Sequence, residues 1–276
     1  MAIAKVGDIN LYYEIHGERD PLLLIMGYGS NCGHWFVVRD RLAKEHRIIM
    51  FDNRGTGRSD KPDIPYTAEM MTGDIIGLLD ATGIGATDVF GVSMGGMIAQ
   101  EFTLRYPGRV KRLILGCTTC GGPNSVRSTP EATAFLFDPE RAKLTNEEKA
   151  YSTIPWLWNQ DFIDTHPEAV KRYVATTTEH PTPPHAYICQ GNFMLTFDSY
   201  GRLPQIKAPT LVICGAKDRL VPPENSPVLA SRIPDSELVI LENAGHGFIS
   251  DSAEESSKII LDFLQRRSKA RANNQT

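Results

Sequence analysis

The sequence predicts an α/β fold in which a mainly parallel central sheet is flanked by helices and carries an inserted helical cap. Short apolar runs typical of buried strands alternate with segments of helical periodicity over residues 1–120. The alternation stops in residues 121–206, where prolines are frequent, and resumes in residues 207–276. Because such alternation builds parallel crossover units, residues 1–120 and 207–276 are expected to form one core domain, and residues 121–206 the cap.

The individual elements follow from local patterns. Before the cap we predict strands over residues 9–16, 21–26 and 47–51, a helix over 35–44, a helix capped by Thr67, a strand over 86–92, a helix ending near Tyr106 and a strand over 110–116. After the cap we predict a strand over 210–215, a helix over 226–232, a strand over 237–241 and a closing helix from about Ser252. The polar tail over 268–276 is expected to be disordered.

Composition excludes several classes of function. A net charge of −4 gives no electrostatic basis for binding nucleic acid or an anionic membrane surface. No apolar run approaches the length of a membrane span, and the first residues lack the pattern of a secretory signal. Five cysteines, odd in number and irregularly spaced, are typical of free thiols in a reducing compartment, so a cytoplasmic protein is expected.

The segment Cys117-Thr118-Thr119-Cys120 matches a C-x-x-C pattern. A redox pair is expected at the start of a helix, whereas this pair ends a predicted strand. No second pair completes a zinc site. We interpret both thiols as small buried side chains.

The turn Gly91-Val92-Ser93-Met94-Gly95 carries the most chemical information. It lies between a predicted buried strand and a predicted helix. Such a sharp turn needs glycine two positions before and after the serine, because side chains there would collide, and it lifts the hydroxyl into the open. The pattern predicts a nucleophilic Ser93, with the Met94 N–H directed at the group under attack.

A serine hydroxyl is a weak nucleophile at neutral pH, so Ser93 needs a base, and the base needs an orienting acid. Among seven histidines, His246 is favoured because its loop follows a predicted strand, at the edge where α/β sheets place their sites. Asp218 follows the preceding predicted strand and opens on the same edge. The chain order of Ser93, Asp218 and His246 is one in which catalytic triads occur.

The second half of an oxyanion-binding site is expected just after the predicted strand over residues 21–26. The segment Met26-Gly27-Tyr28-Gly29-Ser30 fits this role, because its glycines let the backbone approach a ligand closely. We therefore predict that the backbone N–H of Tyr28 acts together with that of Met94.

Taken together, these residues resemble the α/β-hydrolase superfamily over nearly the whole chain. Residues 52–59, D-N-R-G-T-G-R-S, are similar to that family's D-x-R-G-x-G-x-S loop, taken there as structural support. The loops around Asp218 and His246 resemble its acid and base loops, and residues 121–206 lie where it carries a helical cap. Met26 departs from the pattern, since many members have histidine there, but the implied oxyanion role is a backbone one.

The resemblance implies two-step acyl transfer by a member similar to serine esterases and enol-lactonases. The expected substrate is a small-molecule ester or lactone, and the aromatic content of the cap suggests an apolar acyl or alcohol group. Trp156, Trp158 and Phe248 are predicted to contact the substrate. The reaction needs no metal or organic cofactor.

Other readings remain open at this level. Some proteins resembling this fold are ligand receptors or partner-binding proteins that keep the three residues with little turnover. A C–C bond hydrolase uses the same scaffold, although the segment after His246 lacks the tryptophan-rich stretch associated with those enzymes. A lyase or a cofactor-free oxygenase is a further alternative. A serine at position 93 disfavours haloalkane dehalogenases and epoxide hydrolases, which use aspartate.

Overall fold

An eight-stranded sheet runs through the protein, which a computed structural model describes over residues 2–273, apart from the side chains of residues 142 and 267–273. In chain order the strands are β1 (Ala2–Val6), β2 (Ile9–His16), β3 (Pro21–Ile25), β4 (Arg47–Phe51), β5 (Thr87–Val92), β6 (Val110–Gly116), β7 (Thr210–Gly215) and β8 (Ser236–Leu241). Their order across the sheet is β1-β2-β4-β3-β5-β6-β7-β8. The β1–β2 and β2–β4 pairings are antiparallel, and all later neighbours are parallel.

Helices cover both faces of this sheet. They are α1 (Arg39–Leu42), α2 (Ala68–Ala81), α3 (Met94–Arg105), α4 (Pro130–Phe137), α5 (Asn146–Leu157), α6 (Gln160–Thr165), α7 (Pro167–Glu179), α8 (Pro184–Thr196), α9 (Asn225–Arg232), α10 (Phe248–Asp251) and α11 (Ala253–Asn273). Short 3-10 helices occupy Cys32–Val37, Pro107–Arg109, Pro139–Lys143 and Tyr200–Gln205. Within residues 2–273, no helix combines the length and apolarity that crossing a bilayer requires.

The apolar side chains form a core on each face of the sheet. One core packs α2 and α3 against the sheet, and the other packs Trp35 and the apolar side of α11 against the opposite face. Helices α4 to α8 lie between β6 and β7 in the chain, and a third cluster joins α5, α6 and α7. Its buried members are Ala150, Ile154, Trp158, Phe162, Tyr173 and Val174. Part of the insertion therefore has an apolar core of its own.

The position of β5 determines where the candidate site forms. This strand lies between β3 and β6, and all of its residues are buried. Because its neighbours are parallel to it, their carboxyl ends open at the same edge of the sheet. The predicted fold class, a mainly parallel sheet with an inserted helical cap, is confirmed.

One strand was missed and two local expectations were wrong. Strand β1 was not predicted, because this edge strand is short and only alternate residues are buried. The helix expected over residues 35–44 is a 3-10 helix followed by the single turn α1. The β-branched pair Val37 and Val38 disfavours a continuous helix there. Helix α11 includes residues 268–273 of the tail expected to be disordered, and residues 274–276 lie outside the described part.

Two glycines one turn apart in α2 provide a matched test of its packing. A Cβ on Gly77 would lie 2.2 Å from Val6 Cγ1 in β1, whereas one on Gly73 would meet nothing within 4 Å. We expect Gly77→Ala to lower the free energy of unfolding by about 1–3 kcal/mol through overpacking. Gly73→Ala should raise it by about 0.5–1 kcal/mol through helix propensity. Urea unfolding followed by circular dichroism measures both, and shifts of the same sign would contradict the packing described.

Candidate active site

Ser93 lies on a strained turn between β5 and α3. Its backbone has φ +55° and ψ −125°, a conformation that residues other than glycine rarely adopt. A Cβ on Gly91 would lie 2.2 Å from the Gly95 carbonyl oxygen, and one on Gly95 would lie 2.1 Å from the Ile25 carbonyl oxygen. Both positions therefore require glycine, for the steric reason that the sequence suggested. The Ser93 N–H donates to the Gly116 carbonyl at 2.8 Å, which fixes the turn against β6.

His246 and Asp218 form a buried pair in the loops after β8 and β7. His246 Nδ1 lies 2.7 Å from Asp218 Oδ2, and the Asp218 side chain is fully buried. The other carboxylate oxygen, Oδ1, accepts hydrogen bonds from the N–H groups of Leu220 and Val221 at 2.8 and 2.9 Å. Because Nδ1–H donates to a carboxylate, the imidazole tautomer is set and Nε2 is left as the hydrogen-bond acceptor.

Ser93 and His246 line the same cavity, of about 430 Å³, at the carboxyl ends of the parallel strands. Among the described residues, no hydrogen bond joins the Ser93 hydroxyl to the His246 ring. Catalytic hydrogen bonds of this kind are often long without substrate and shorten in the reactive complex. The fold thus brings three of the predicted residues together, with the histidine–aspartate contact formed.

The two backbone N–H groups predicted to bind an oxyanion lie beside Ser93. Met94 is the first residue of α3, and the Gly27–Tyr28 segment follows β3. A Cβ on Gly27 would lie 3.0 Å from Ser93 Cβ, so this segment packs directly against the serine. Within the described part of the chain, neither the Tyr28 nor the Met94 N–H has a hydrogen-bond acceptor. The Met94 N–H lies at the N-terminus of α3, where a helix dipole suits a developing negative charge.

Residues 52–59 support the turn after β3. Asn53 Nδ2 donates to the Met26 carbonyl at 2.9 Å. Asp52 accepts from the N–H of Cys32 at 2.7 Å and from the N–H of Arg58 at 2.8 Å. These contacts fix the backbone that leads to Tyr28, in keeping with the structural role that the resemblance implied for this segment.

The cap contacts this same turn through side chains of α8 and the segment before it. Gln190 Oε1 accepts from the Gly29 N–H at 2.9 Å, and Gln190 Nε2 donates to the Arg54 carbonyl at 3.0 Å. The Tyr28 hydroxyl donates to the Tyr187 carbonyl at 3.0 Å. The cavity is therefore closed on one side by cap residues that are hydrogen-bonded to the core.

Aromatic side chains form much of the cavity wall. They are Tyr28, Phe36, Phe135, Phe137, Trp158, Tyr173 and Tyr187. Of the three predicted substrate contacts, Trp158 is in this wall. Trp156 lies behind it, where its indole stacks on Phe135 with ring centroids 4.8 Å apart. Phe248 is fully buried beneath the site, 6.4 Å from the Phe90 ring.

His34 lines the cavity but was not singled out in the sequence. Its Nδ1–H donates to the Asn31 carbonyl at 3.1 Å, and Nε2 lies 3.1 Å from the Thr177 hydroxyl. Burial lowers the pKa of His34 to about 4, so the ring is neutral near pH 7. Its sequence neighbourhood carries no motif, and only the fold reveals its position.

The cysteines are free and buried, as the sequence suggested. Cys117 Sγ lies near the histidine–aspartate pair, and one ligand atom from each of Cys117, Asp218 and His246 lies within 4.8 Å of the others. Ligands of a tetrahedral zinc ion stand about 3.3 Å apart, given metal–ligand bonds of about 2.0 Å. The 2.7 Å contact between His246 and Asp218 is shorter than this, so the geometry favours a hydrogen-bonded pair.

A mainly parallel sheet that presents a strained serine and an aspartate-bound histidine to one cavity is typical of hydrolases of the α/β class. The family model described as alpha/beta hydrolase fold matches residues 20–253. The chain therefore belongs to the α/β-hydrolase fold family, and the resemblance drawn from its motifs is confirmed.

Individual proteins similar to this chain carry names of hydrolases that act on different substrates. A protein from Azorhizobium caulinodans named "Putative carbamate hydrolase RutD" is 30% identical over 95% of this chain and 98% of its own length. The crystal structure of an enol-lactonase from Burkholderia xenovorans LB400 superposes with a TM-score of 0.82 at 27% identity, covering 96% of this chain and 100% of that one. A thermophilic esterase from Thermogutta terrifontis gives a TM-score of 0.82 at 29% identity, covering 96% and 98%.

Proposed function

We propose that this protein is a serine hydrolase that cleaves a carboxylic ester or lactone through an acyl-enzyme on Ser93. The proposal rests on one observation: Ser93, which is half-buried and has a strained backbone, lines the same cavity as His246, whose Nδ1 is hydrogen-bonded to the buried Asp218. In this reading Ser93, His246 and Asp218 are a catalytic triad. Similarity to an esterase and an enol-lactonase supports the same chemistry.

The first half-reaction forms the acyl-enzyme. Ser93 Oγ attacks the carbonyl carbon while His246 Nε2 takes the hydroxyl proton, and Asp218 stabilises the imidazolium. The N–H groups of Tyr28 and Met94 hold the oxyanion of the tetrahedral intermediate. The intermediate collapses as the bond to the leaving oxygen breaks, and that oxygen takes the proton from His246.

The second half-reaction releases the acid. Water attacks the acyl carbon and gives a proton to His246, which returns it to Ser93 Oγ as the acyl–oxygen bond breaks. In a lactone the leaving hydroxyl stays attached to the acyl group, so one ring-opened product leaves. A largely aromatic wall suits an apolar part of such a substrate.

A carbamate is a second candidate substrate, favoured by the similarity to the Azorhizobium caulinodans relative. Ser93 would attack the carbamate carbonyl through the same steps, with the carbamoyl group held on the serine. A C–C bond hydrolase also uses this scaffold, and turnover of simple esters separates it from the main proposal.

Intact-mass spectrometry after treatment with a fluorophosphonate tests the proposal. We expect a single adduct on the wild type that Ser93→Ala lacks, together with turnover of p-nitrophenyl acetate and butyrate. Ser30→Ala is the matched control, because Ser30 lines the same cavity and should leave the adduct and turnover in place. A folded wild type with no adduct and no turnover would contradict the proposal and favour a ligand-binding protein.

A further inference from the structure

Arg141 brings a positive charge to an otherwise largely apolar cavity. It lies on the 3-10 helix Pro139–Lys143 of the cap, is half-buried and lines the cavity that holds Ser93. Nη1 donates to the Ser152 hydroxyl at 3.0 Å, and Nη2 donates to the Thr153 hydroxyl at 3.1 Å. The guanidinium carbon lies 4.1 Å from the centre of the Phe135 ring. Neutral groups therefore hold this side chain in place and leave several of its N–H donors available.

Within the described part of the chain, no carboxylate forms an ion pair with this cation. Among the described residues, no ion pair involves Arg141 or the second cation of the lining, Lys149. Nearby Glu140 is paired with Lys143 at 2.6 Å. Asp138 is the one acidic residue of the lining within the described chain, and its Oδ1 accepts from the Glu140 N–H at 2.9 Å.

The remaining neighbours of Arg141 neutralise it only in part. Its guanidinium is attracted by the carboxylate of Asp138, which is exposed, and it also interacts electrostatically with the phenols of Tyr187, Tyr173 and Tyr28. Burial raises the pKa of each of these phenols, so all three stay neutral. Burial lowers the pKa of Arg141 itself, yet a guanidinium keeps its proton at any ordinary pH. The described lining of the cavity thus carries two cations, Arg141 and Lys149, against the single exposed carboxylate of Asp138, and this surplus of positive charge suits an anionic ligand.

Tyr28 connects this cation to the reacting centre. The Gly27–Tyr28 segment packs against Ser93, and the Tyr28 side chain lies in the wall and interacts electrostatically with Arg141. Ser93, Tyr28 and Arg141 therefore line one continuous cavity, which an acyl chain bound at Ser93 would enter. The opposite charges of Asp138 and Lys149 cancel, so the net positive charge of the described lining equals that of one guanidinium.

We infer that the substrate of the proposed esterase or lactonase carries a carboxylate at the far end of its acyl chain, and that Arg141 binds it. This inference rests on the proposed function of Ser93. It refines the expectation of an apolar substrate: the aromatic wall contacts the acyl chain, and the guanidinium contacts its terminus through paired N–H···O bonds. Arg141 is then a specificity-determining residue with no part in bond breaking.

Two ester probes of the same shape test the inference. One is mono-p-nitrophenyl glutarate, and the other is p-nitrophenyl 5-methylhexanoate, in which an isopropyl group replaces the carboxylate. With the enzyme-free rate subtracted, we expect the wild type to favour the glutarate ester in kcat/KM by about tenfold or more. Arg141→Met should abolish that preference, because kcat/KM should fall much more for the glutarate ester than for the neutral ester. Arg141→Lys, which keeps the charge but not the forked donors, should retain part of the preference.

The outcomes separate this inference from the proposed function. Turnover of both esters by the wild type without preference, or a preference that survives in Arg141→Met, would overturn the inference and leave the esterase proposal standing. If the wild type hydrolyses neither ester, the esterase proposal fails. The anion site is then tested by measuring the melting temperature with and without free glutarate. A rise in melting temperature with glutarate that Arg141→Met lacks would support it, and no rise would overturn it. If Arg141→Met does not fold, the same measurements are made with Arg141→Lys, in which the preference for the glutarate ester should be reduced.

Discussion

Replacing His246 with alanine is expected to lower kcat for p-nitrophenyl butyrate by at least ~10³-fold. The reason is that His246 Nε2 is the acceptor through which Ser93 loses its proton, and Nδ1 is already held by Asp218 at 2.7 Å. Steady-state kinetics with the wild type and the variant give the ratio. Because the ring lies in a loop over the cavity, the melting temperature should change little, which separates lost chemistry from lost folding.

His34 provides the control for this prediction. It lines the same cavity, but its ring nitrogens face the Asn31 carbonyl and the Thr177 hydroxyl, and it has no carboxylate partner in the described chain. His34→Gln preserves a donor and an acceptor, so kcat should stay within about tenfold of the wild type. A larger loss in His34→Gln than in His246→Ala would show that the base had been assigned to the wrong histidine.

Asp218→Asn is expected to lower kcat on the order of 10³–10⁴-fold with little change in KM. The asparagine amide directs an N–H at His246 Nδ1, which forces the proton onto Nε2 and removes the acceptor that Ser93 requires. Its Oδ1 can still accept from the N–H groups of Leu220 and Val221, so the loop should keep its shape. The same ester assay and a thermal melt measure both effects.

Asp251→Asn is the matched variant for this second prediction. Asp251 is half-buried near His246, and its Oδ2 accepts from the Gly245 N–H at 2.9 Å. Burial raises the pKa of Asp251, and its role in the structure is to hold the backbone of the His246 loop. Asparagine keeps the acceptor, so only a small loss of kcat is expected. Near-normal activity in Asp218→Asn with a large loss in Asp251→Asn would reverse the assignment of the acid.

The core elements could be predicted from the sequence because each has a local cause. Strands Pro21–Ile25 and Thr210–Gly215 contain the uninterrupted apolar runs L-L-L-I and L-V-I-C, and the paired glycines at 91 and 95 are explained by close backbone contacts. Ser93, Asp218 and His246 were found because each follows a strand and their loops open on one edge. The fold brings these three residues to one place, and their catalytic roles remain a proposal.

The cavity wall could not be predicted in the same way. Trp156 and Trp158 are two residues apart in the chain, yet one stacks behind the wall and the other forms part of it. Phe248 follows the His246 loop but packs into the core. No sequence motif surrounds Arg141. Its proposed role depends on its place in the cavity lining and on the absence of an ion pair to it among the described residues. Such properties depend on how the cap sits over the sheet, which local periodicity does not determine.

The contacts of Gln190 bear on how proteins of this kind acquire new substrates. A cap grafted from a relative would leave the Gly29 N–H and the Arg54 carbonyl without their partners unless it supplied an equivalent amide. An unsatisfied buried donor costs about 1–3 kcal/mol, and here the cost falls on the backbone that leads to Tyr28. Whole-cap exchange would therefore disturb the rate as well as the selectivity. Divergence is expected to proceed instead by single side-chain replacements on a retained cap backbone, at positions such as Arg141, whose side chain donates hydrogen bonds to the cap residues Ser152 and Thr153.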